Sequence, residues 1–275
     1  MRNNRTARTI GAVIAASVLV LSSCGGSSES ADTTMATDTS AVSQEHEGPH
    51  VVVSTSWIGA FAKLAGATDI TVIAPSNLQH PPDYDPKASD LAAVADADFV
   101  LLAGFEGFAQ RLMDAAGSDA RVEKVATEYF PEAVTKEVSR LAELMGLDVA
   151  EAAHNASHYG EHFMEEMERV KSARAGAQPV VVSHMYTGVW AMLAGLEPVA
   201  TFGPKPMTPT EVKSIADKKP TLVIENSHMP AGADLSEVTG AVTVDAVNFP
   251  GDDMDLDAVV TRNADLLIGA FASLK

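Results

Sequence analysis

The chain has 275 residues and a formal charge of −18, with 37 acidic side chains against 19 basic ones. That balance disfavours a surface built to hold nucleic-acid phosphates and suits the attraction of cations. The single cysteine, Cys24, excludes an intrachain disulfide and any zinc site made of thiolates, so a metal here has to be held by His, Asp and Glu.

Arg2, Arg5 and Arg8 precede an apolar run from Ile10 to Leu21 that is too short to span a bilayer permanently. Residues 1–23 therefore read as a secretory signal, to be left out of the fold. The ending Leu21-Ser22-Ser23-Cys24 resembles the bacterial lipoprotein signal, which implies lipidation of Cys24 and an extracytoplasmic protein anchored to the cell membrane. Residues 24–49 are rich in Gly, Ser, Thr and Asp and carry almost no large apolar side chains to offset the entropy of ordering, so they are expected to form a flexible tether.

Residues 50–130 alternate strand and helix patterns. The run Val51-Val52-Val53 enters a Ser/Thr turn, and Ile58, Phe61, Leu64 and Ala65 then share one helical face. A second strand is expected over 70–74, a helix from Ser89 to about Ala95, and a third strand over 97–102 ending at Gly104. Phe108, Leu112 and Ala115 keep helical spacing, and Val125 resumes a strand-like segment.

The pattern changes over 131–175, a linking helical segment with no strong β runs. Ala152, Ala156, Tyr159, Phe163, Met167 and Val170 recur there at steps of three and four, on one face of a long helix. Alternation returns over 176–275, with strands expected at 179–184, 198–202, 221–224 and 241–247 and helices at 186–193, 210–217, 235–238 and 256–274. The fold class is α/β: two α/β lobes with mainly parallel sheets joined by one long backbone helix.

Candidate metal ligands gather at the ends of these strands. His80 lies in Gln79-His80-Pro81-Pro82-Asp83-Tyr84-Asp85-Pro86, where three prolines stiffen the backbone around one imidazole. His184 ends the most apolar strand of the second lobe, and ligands of open α/β sheets collect at the carboxyl ends of strands. Two further strands run into Glu225-Asn226-Ser227-His228 and into Asp245. His80, His184, Glu225 and Asp245, with His228 as an additional candidate, offer the imidazole and carboxylate donors that Zn²⁺ or Mn²⁺ prefers. Each of these side chains has an ordinary structural alternative, as a helix cap, a hydrogen-bonded acid or a loop histidine. His154, His158 and His162 recur every four residues on the long helix and read as a solvated face.

No phosphate-binding Gly-rich loop, His-Glu-x-x-His or Gly-x-Ser-x-Gly occurs, so nothing points to an enzyme. At this stage the residues resemble the zinc and manganese ABC-transporter substrate-binding proteins of cluster A-I. His80 with 84–91 is similar to that family's first-ligand loop and following helix, 95–100 to its ADADxV stretch, 155–167 to the end of its linking helix, and 181–184 to its late histidine ligand. Asp245 lies where the family often carries a final acidic ligand.

The resemblance implies a monomeric, non-enzymatic capture protein that takes zinc, or next manganese, into the cleft between lobes and delivers it to a membrane ABC permease. It also implies small lobe rearrangements rather than a wide hinge closure. The chain departs from the family once: no Asn-Pro-His-x-Trp-like segment occurs between 130 and 153, so one histidine is missing, with Glu225, His228 or water to fill the vacancy. A carrier of a metal chelate such as cobalamin, haem or a siderophore is the competing architecture. Against it stand an aromatic content of 5% and the lack of an arginine cluster near the candidate ligands. A lipid-anchored metallohydrolase is the enzymatic alternative.

Overall fold

Four short runs, β1 (His50–Val53), β2 (Asp69–Val72), β3 (Phe99–Leu102) and β4 (Arg121–Lys124), pair in parallel in the order β2-β1-β3-β4 in a computed structural model that describes residues 48–274. Cys24, the expected signal and nearly all of the expected tether lie outside the described residues. The crossovers are made by α1 (Ser56–Leu64), α2 (Ala88–Ala95) and α3 (Ala109–Ala115). Val51, Val52 and Val53 are wholly buried, as a central parallel strand covered on both faces requires. The last strand lies at 121–124, just ahead of Val125. It is an edge strand whose exposed Arg121 and Lys124 blunt further pairing, which is why its sequence lacks a β-branched run.

The linking segment is two helices rather than one. α4 (Pro131–Met145) stops at Gly146, whose φ of 68° is the left-handed conformation glycine adopts most readily. Asp148 then starts α5 (Val149–Arg174) by accepting the amide N–H groups of Ala150 and Glu151. Ala152, Ala156, Tyr159, Phe163 and Val170 form the buried stripe of α5 as expected, with Met167 half-buried beside it.

The second sheet contains β5 (Val181–His184), β6 (Ala200–Phe202), β7 (Leu222–Asn226) and β8 (Val242–Ala246) in the order β6-β5-β7-β8. It is connected by α6 (Gly188–Leu193), α7 (Pro209–Ala216) and α8 (Ala233–Thr239), and α9 (Leu256–Ser273) returns to pack along α5. Both sheets are entirely parallel and share one strand order, so the fold carries a repeat that the residues do not display. In each, the strand order reverses between the first and third strands, the place where open α/β sheets take ligands.

One apolar cluster runs through both lobes, from Val51, Phe61 and Leu101 through Tyr159 and Phe163 to Leu222, Ile224 and Phe271. Two smaller clusters cover the outer faces, one around Val100 and Leu112 and one around Val223 and Leu235. Residues 250–253, after β8, cross to the first lobe: Ser56 Oγ donates to Pro250 O at 2.7 Å and Lys63 Nζ to Asp253 O at 2.8 Å. Among the described residues, no helix is long and apolar enough to cross a membrane.

Candidate metal site

His80 follows β2 and opens a single helical turn whose Pro81 and Pro82 are buried, so the backbone under the ring is fixed. Its Nδ1 lies 2.9 Å from Asp83 Oδ2. A carboxylate at that distance holds the proton on Nδ1 and leaves the Nε2 lone pair free, the arrangement that orients metal-binding histidines. The ring is 22% exposed, enough for an ion to reach its edge.

His184, the last residue of β5, is fully buried. The Tyr186 amide donates to its Nδ1 at 3.2 Å, so the neutral ring carries its proton on Nε2, and that atom has no partner. Tyr186 and Phe202 flank the ring at 5.3 and 5.8 Å. Gly203 crosses over Nε2 so closely that no other residue would fit without displacing one of them.

Burial lowers the His184 pKa from 6.5 to about 4. Because the fold favours the neutral ring, this contribution to stability is complete above pH 6.5 and is lost as pH falls from there towards 4. A shift of that size corresponds to about 3 kcal/mol. Urea unfolding of metal-free protein at pH 7, 5 and 4 is expected to show that loss, and a His184→Gln variant to lack its share of the slope. Parallel slopes for the two proteins would rule the ring out as the cause.

His228 lies just beyond β7 and meets the loop that carries His80. Its Nδ1 is 2.8 Å from Gln79 O, and its Nε2 accepts the Phe249 amide at 3.4 Å. Desolvation lowers its pKa, opposed by the bond to Gln79 and assisted by the charges of His80 and Arg262.

The two acidic candidates are engaged differently. Glu225 is buried and accepts three backbone amides, from Asn226 at 2.8 Å, Ala231 at 3.2 Å and Gly232 at 2.5 Å, so its carboxylate organises the loop after β7. Asp245 is exposed on the edge strand β8, whose alternation sets it with Thr243 and opposite the buried Val244 and Ala246. Glu106, at the end of β3, is likewise folded onto Ser54 and the amides of Ala103 and Gly104. Among the described residues, no three His, Cys, Asp or Glu side chains are grouped so as to hold a metal ion. On the long helix, His154 and His158 are exposed and His162 pairs with Thr261 of α9 at 2.9 Å.

Sequence reasoning passed over an aromatic cluster between the lobes. Tyr129 stacks on Trp57 at 5.2 Å and lies 4.7 Å from Trp190, and Phe249 meets Trp57 edge-on at 5.4 Å. Asn248 knits the group together: it accepts Trp190 Nε1–H at 3.0 Å, donates to Tyr186 O at 3.1 Å, and its carbonyl accepts the Tyr129 hydroxyl at 2.6 Å. Burial raises the Tyr129 pKa well above its ordinary value, so it remains a neutral donor. The signal available in the sequence was Tyr129-Phe130-Pro131, at the entrance to the linking helices where the family's missing histidine was sought.

Residues 51–173 match the family model described as the zinc-uptake complex component A, periplasmic. The Mn²⁺ complex of the substrate-binding protein FpvC from Pseudomonas aeruginosa is similar at 15% identity and a TM-score of 0.64, covering 83% of this chain and 100% of that one. A crystal structure of ZnuA gives 17% identity and a TM-score of 0.62 over 82% of this chain and 100% of that one. The laminin-binding protein Lmb of Streptococcus agalactiae, described as bifunctional in adhesion and metal transport, gives 17% and 0.61 over the same shares. The expected two-lobed α/β fold is thereby met. The family model supports the resemblance over residues 51–173, a span that includes His80 but stops short of His184, while the solved structures, at 15–17% identity, support the fold.

Proposed function

Starting from a chain whose residues 51–173 match a periplasmic zinc-uptake component, we propose that this protein captures a transition metal ion for an ABC importer. It takes zinc by preference and manganese next, and passes the ion to a membrane permease. The protein is extracytoplasmic, held at the membrane by a lipid on Cys24, and acts as a monomer with no reaction of its own. The ion is cargo.

The observation that carries this reading is the pairing of His80 with Asp83, which leaves one imidazole lone pair free on a rigid loop at the carboxyl end of the first sheet. His184 is the second donor: its Nε2–H is buried without a hydrogen-bond partner, and binding an ion there requires that proton to move. For that nitrogen to offer a lone pair, the ring has to release the Tyr186 amide and Gly203 has to lift. Glu225 and Asp245 complete the shell only if Glu225 lets go of the 226–232 loop and Asp245 turns in from the outer face of β8, so water fills those positions first.

Calorimetric titration of chelator-stripped protein tests the reading directly. One equivalent of zinc is expected to bind, and manganese more weakly, as imidazole donors and the affinity order of divalent metals dictate. Absence of stoichiometric binding of either ion would refute it.

A further inference from the structure

We infer that His228 is a positioning residue that holds the His80 loop in place from the opposite lobe; the inference rests on the capture reading above. Both ring nitrogens of His228 are already committed. Nδ1 faces the carbonyl oxygen of Gln79 at 2.8 Å, so it carries the proton and donates it. Nε2 faces the amide of Phe249 at 3.4 Å and receives it on the lone pair. A metal ligand needs a free lone pair, and the only one on this ring is spent on the protein's own backbone.

The mount for this ring is rigid. The His228 amide donates to Asn226 Oδ1 at 3.0 Å, Ser227 N to Ala246 O at 2.9 Å and Met229 N to Asn226 O at 3.1 Å, which ties the turn after β7 to itself and to β8. The ring packs edge-on against Phe249 at 4.9 Å, and Phe249 rests in turn on Trp57 of the first lobe. The bond to Gln79 therefore reaches the residue just before His80 from a fixed support.

His80 is held from both sides as a result. Asp83 fixes its ring through Nδ1, and His228 fixes the backbone that enters it. Pro81 and Pro82 fix the backbone that leaves His80, because neither proline can relax its φ angle. Loss of the Gln79 bond would free the ring to sample positions in which its Nε2 misses the ion. Outer partners that orient a ligand typically contribute 10–100-fold to metal affinity.

The experiment compares zinc affinity and the number of imidazoles around bound zinc, read by X-ray absorption, in the wild type, His228→Ala and His228→Asn. The Asn side chain sets an amide N–H close to where Nδ1–H lies and is a poor ligand for zinc. His228→Ala is expected to weaken zinc binding by about 10–100-fold with an unchanged imidazole count, and His228→Asn to recover most of the loss. A count lower by one in both variants would make His228 a ligand and overturn the inference, as would unchanged affinity in His228→Ala. If the Ala variant fails to fold, the Asn variant decides alone, since a ligand role predicts a lost imidazole there and a positioning role does not. Failure of the wild type to bind zinc would show itself before any variant is compared, and would refute the capture reading instead.

Discussion

Alanine at His80 is expected to weaken zinc binding by more than about 100-fold, beyond the ~10–100-fold that loss of a ligand's hydrogen-bond partner costs. The ring is 22% exposed, so the unfolding free energy of the metal-free protein is expected to fall by less than about 1.5 kcal/mol. His184→Ala is expected to match it in affinity but not in stability. That ring is fully buried between Tyr186 and Phe202, and its removal leaves a cavity of the kind that costs a few kcal/mol. The larger stability loss at His184 separates the wholly buried donor from the partly exposed one. Two variants that both bind zinc like wild type would remove these residues from the site altogether.

Trp190→Ala is expected to lower unfolding stability by about 3–5 kcal/mol. The indole is wholly buried in α6 against Tyr129, and its N–H satisfies Asn248 Oδ1 at 3.0 Å. Removing it opens a large void and strips the buried amide oxygen of its donor, so the loss should fall towards the upper end of that range. Against the roughly 5–15 kcal/mol that stabilises a typical domain, that is a large share of the total. Urea titration is the check: the midpoint should fall while the slope is kept. Met192→Ala, two residues along the same helix but 48% exposed, serves as the control and is expected to change stability by less than about 0.5 kcal/mol. A Trp190→Ala loss below about 1 kcal/mol would mean that the cluster between the lobes is loosely packed.

The strands were legible where the chain concentrates β-branched residues, as at 51–53 and 181–182, because a central parallel strand must be apolar on both faces. Edge strand β4 carries no such mark, because Arg-Val-Glu-Lys has no β-branched run. The break between α4 and α5 was in principle readable, since Gly146 followed by Asp148 is a helix stop followed by a helix start. At the candidate site, three prolines announced the rigidity of the His80 loop, and Asp245's place opposite Val244 and Ala246 is visible in the alternation of β8.

Other features had no local signature. Glu225 is engaged by three amides within seven residues of it, but only the folded course of that loop brings them to one carboxylate. His228 finds Gln79 at a separation of 149 residues, and nothing periodic in either segment foretells it. Composition understated the aromatic residues for a related reason: they are few, yet four of them meet at a single place between the lobes.

The apolar cluster that begins at Val51 and ends at Phe271 belongs to neither lobe alone. A lobe excised from this chain would turn much of its interior into surface, and a lobe grafted from a relative would have to match the stranger's side chains across a seam several residues deep. The two halves repeat one strand order, but they are not interchangeable cassettes. Changes on one side of the seam have to be answered on the other, so the pair is expected to diversify as a single body, with freedom concentrated at the loops that cap the sheets.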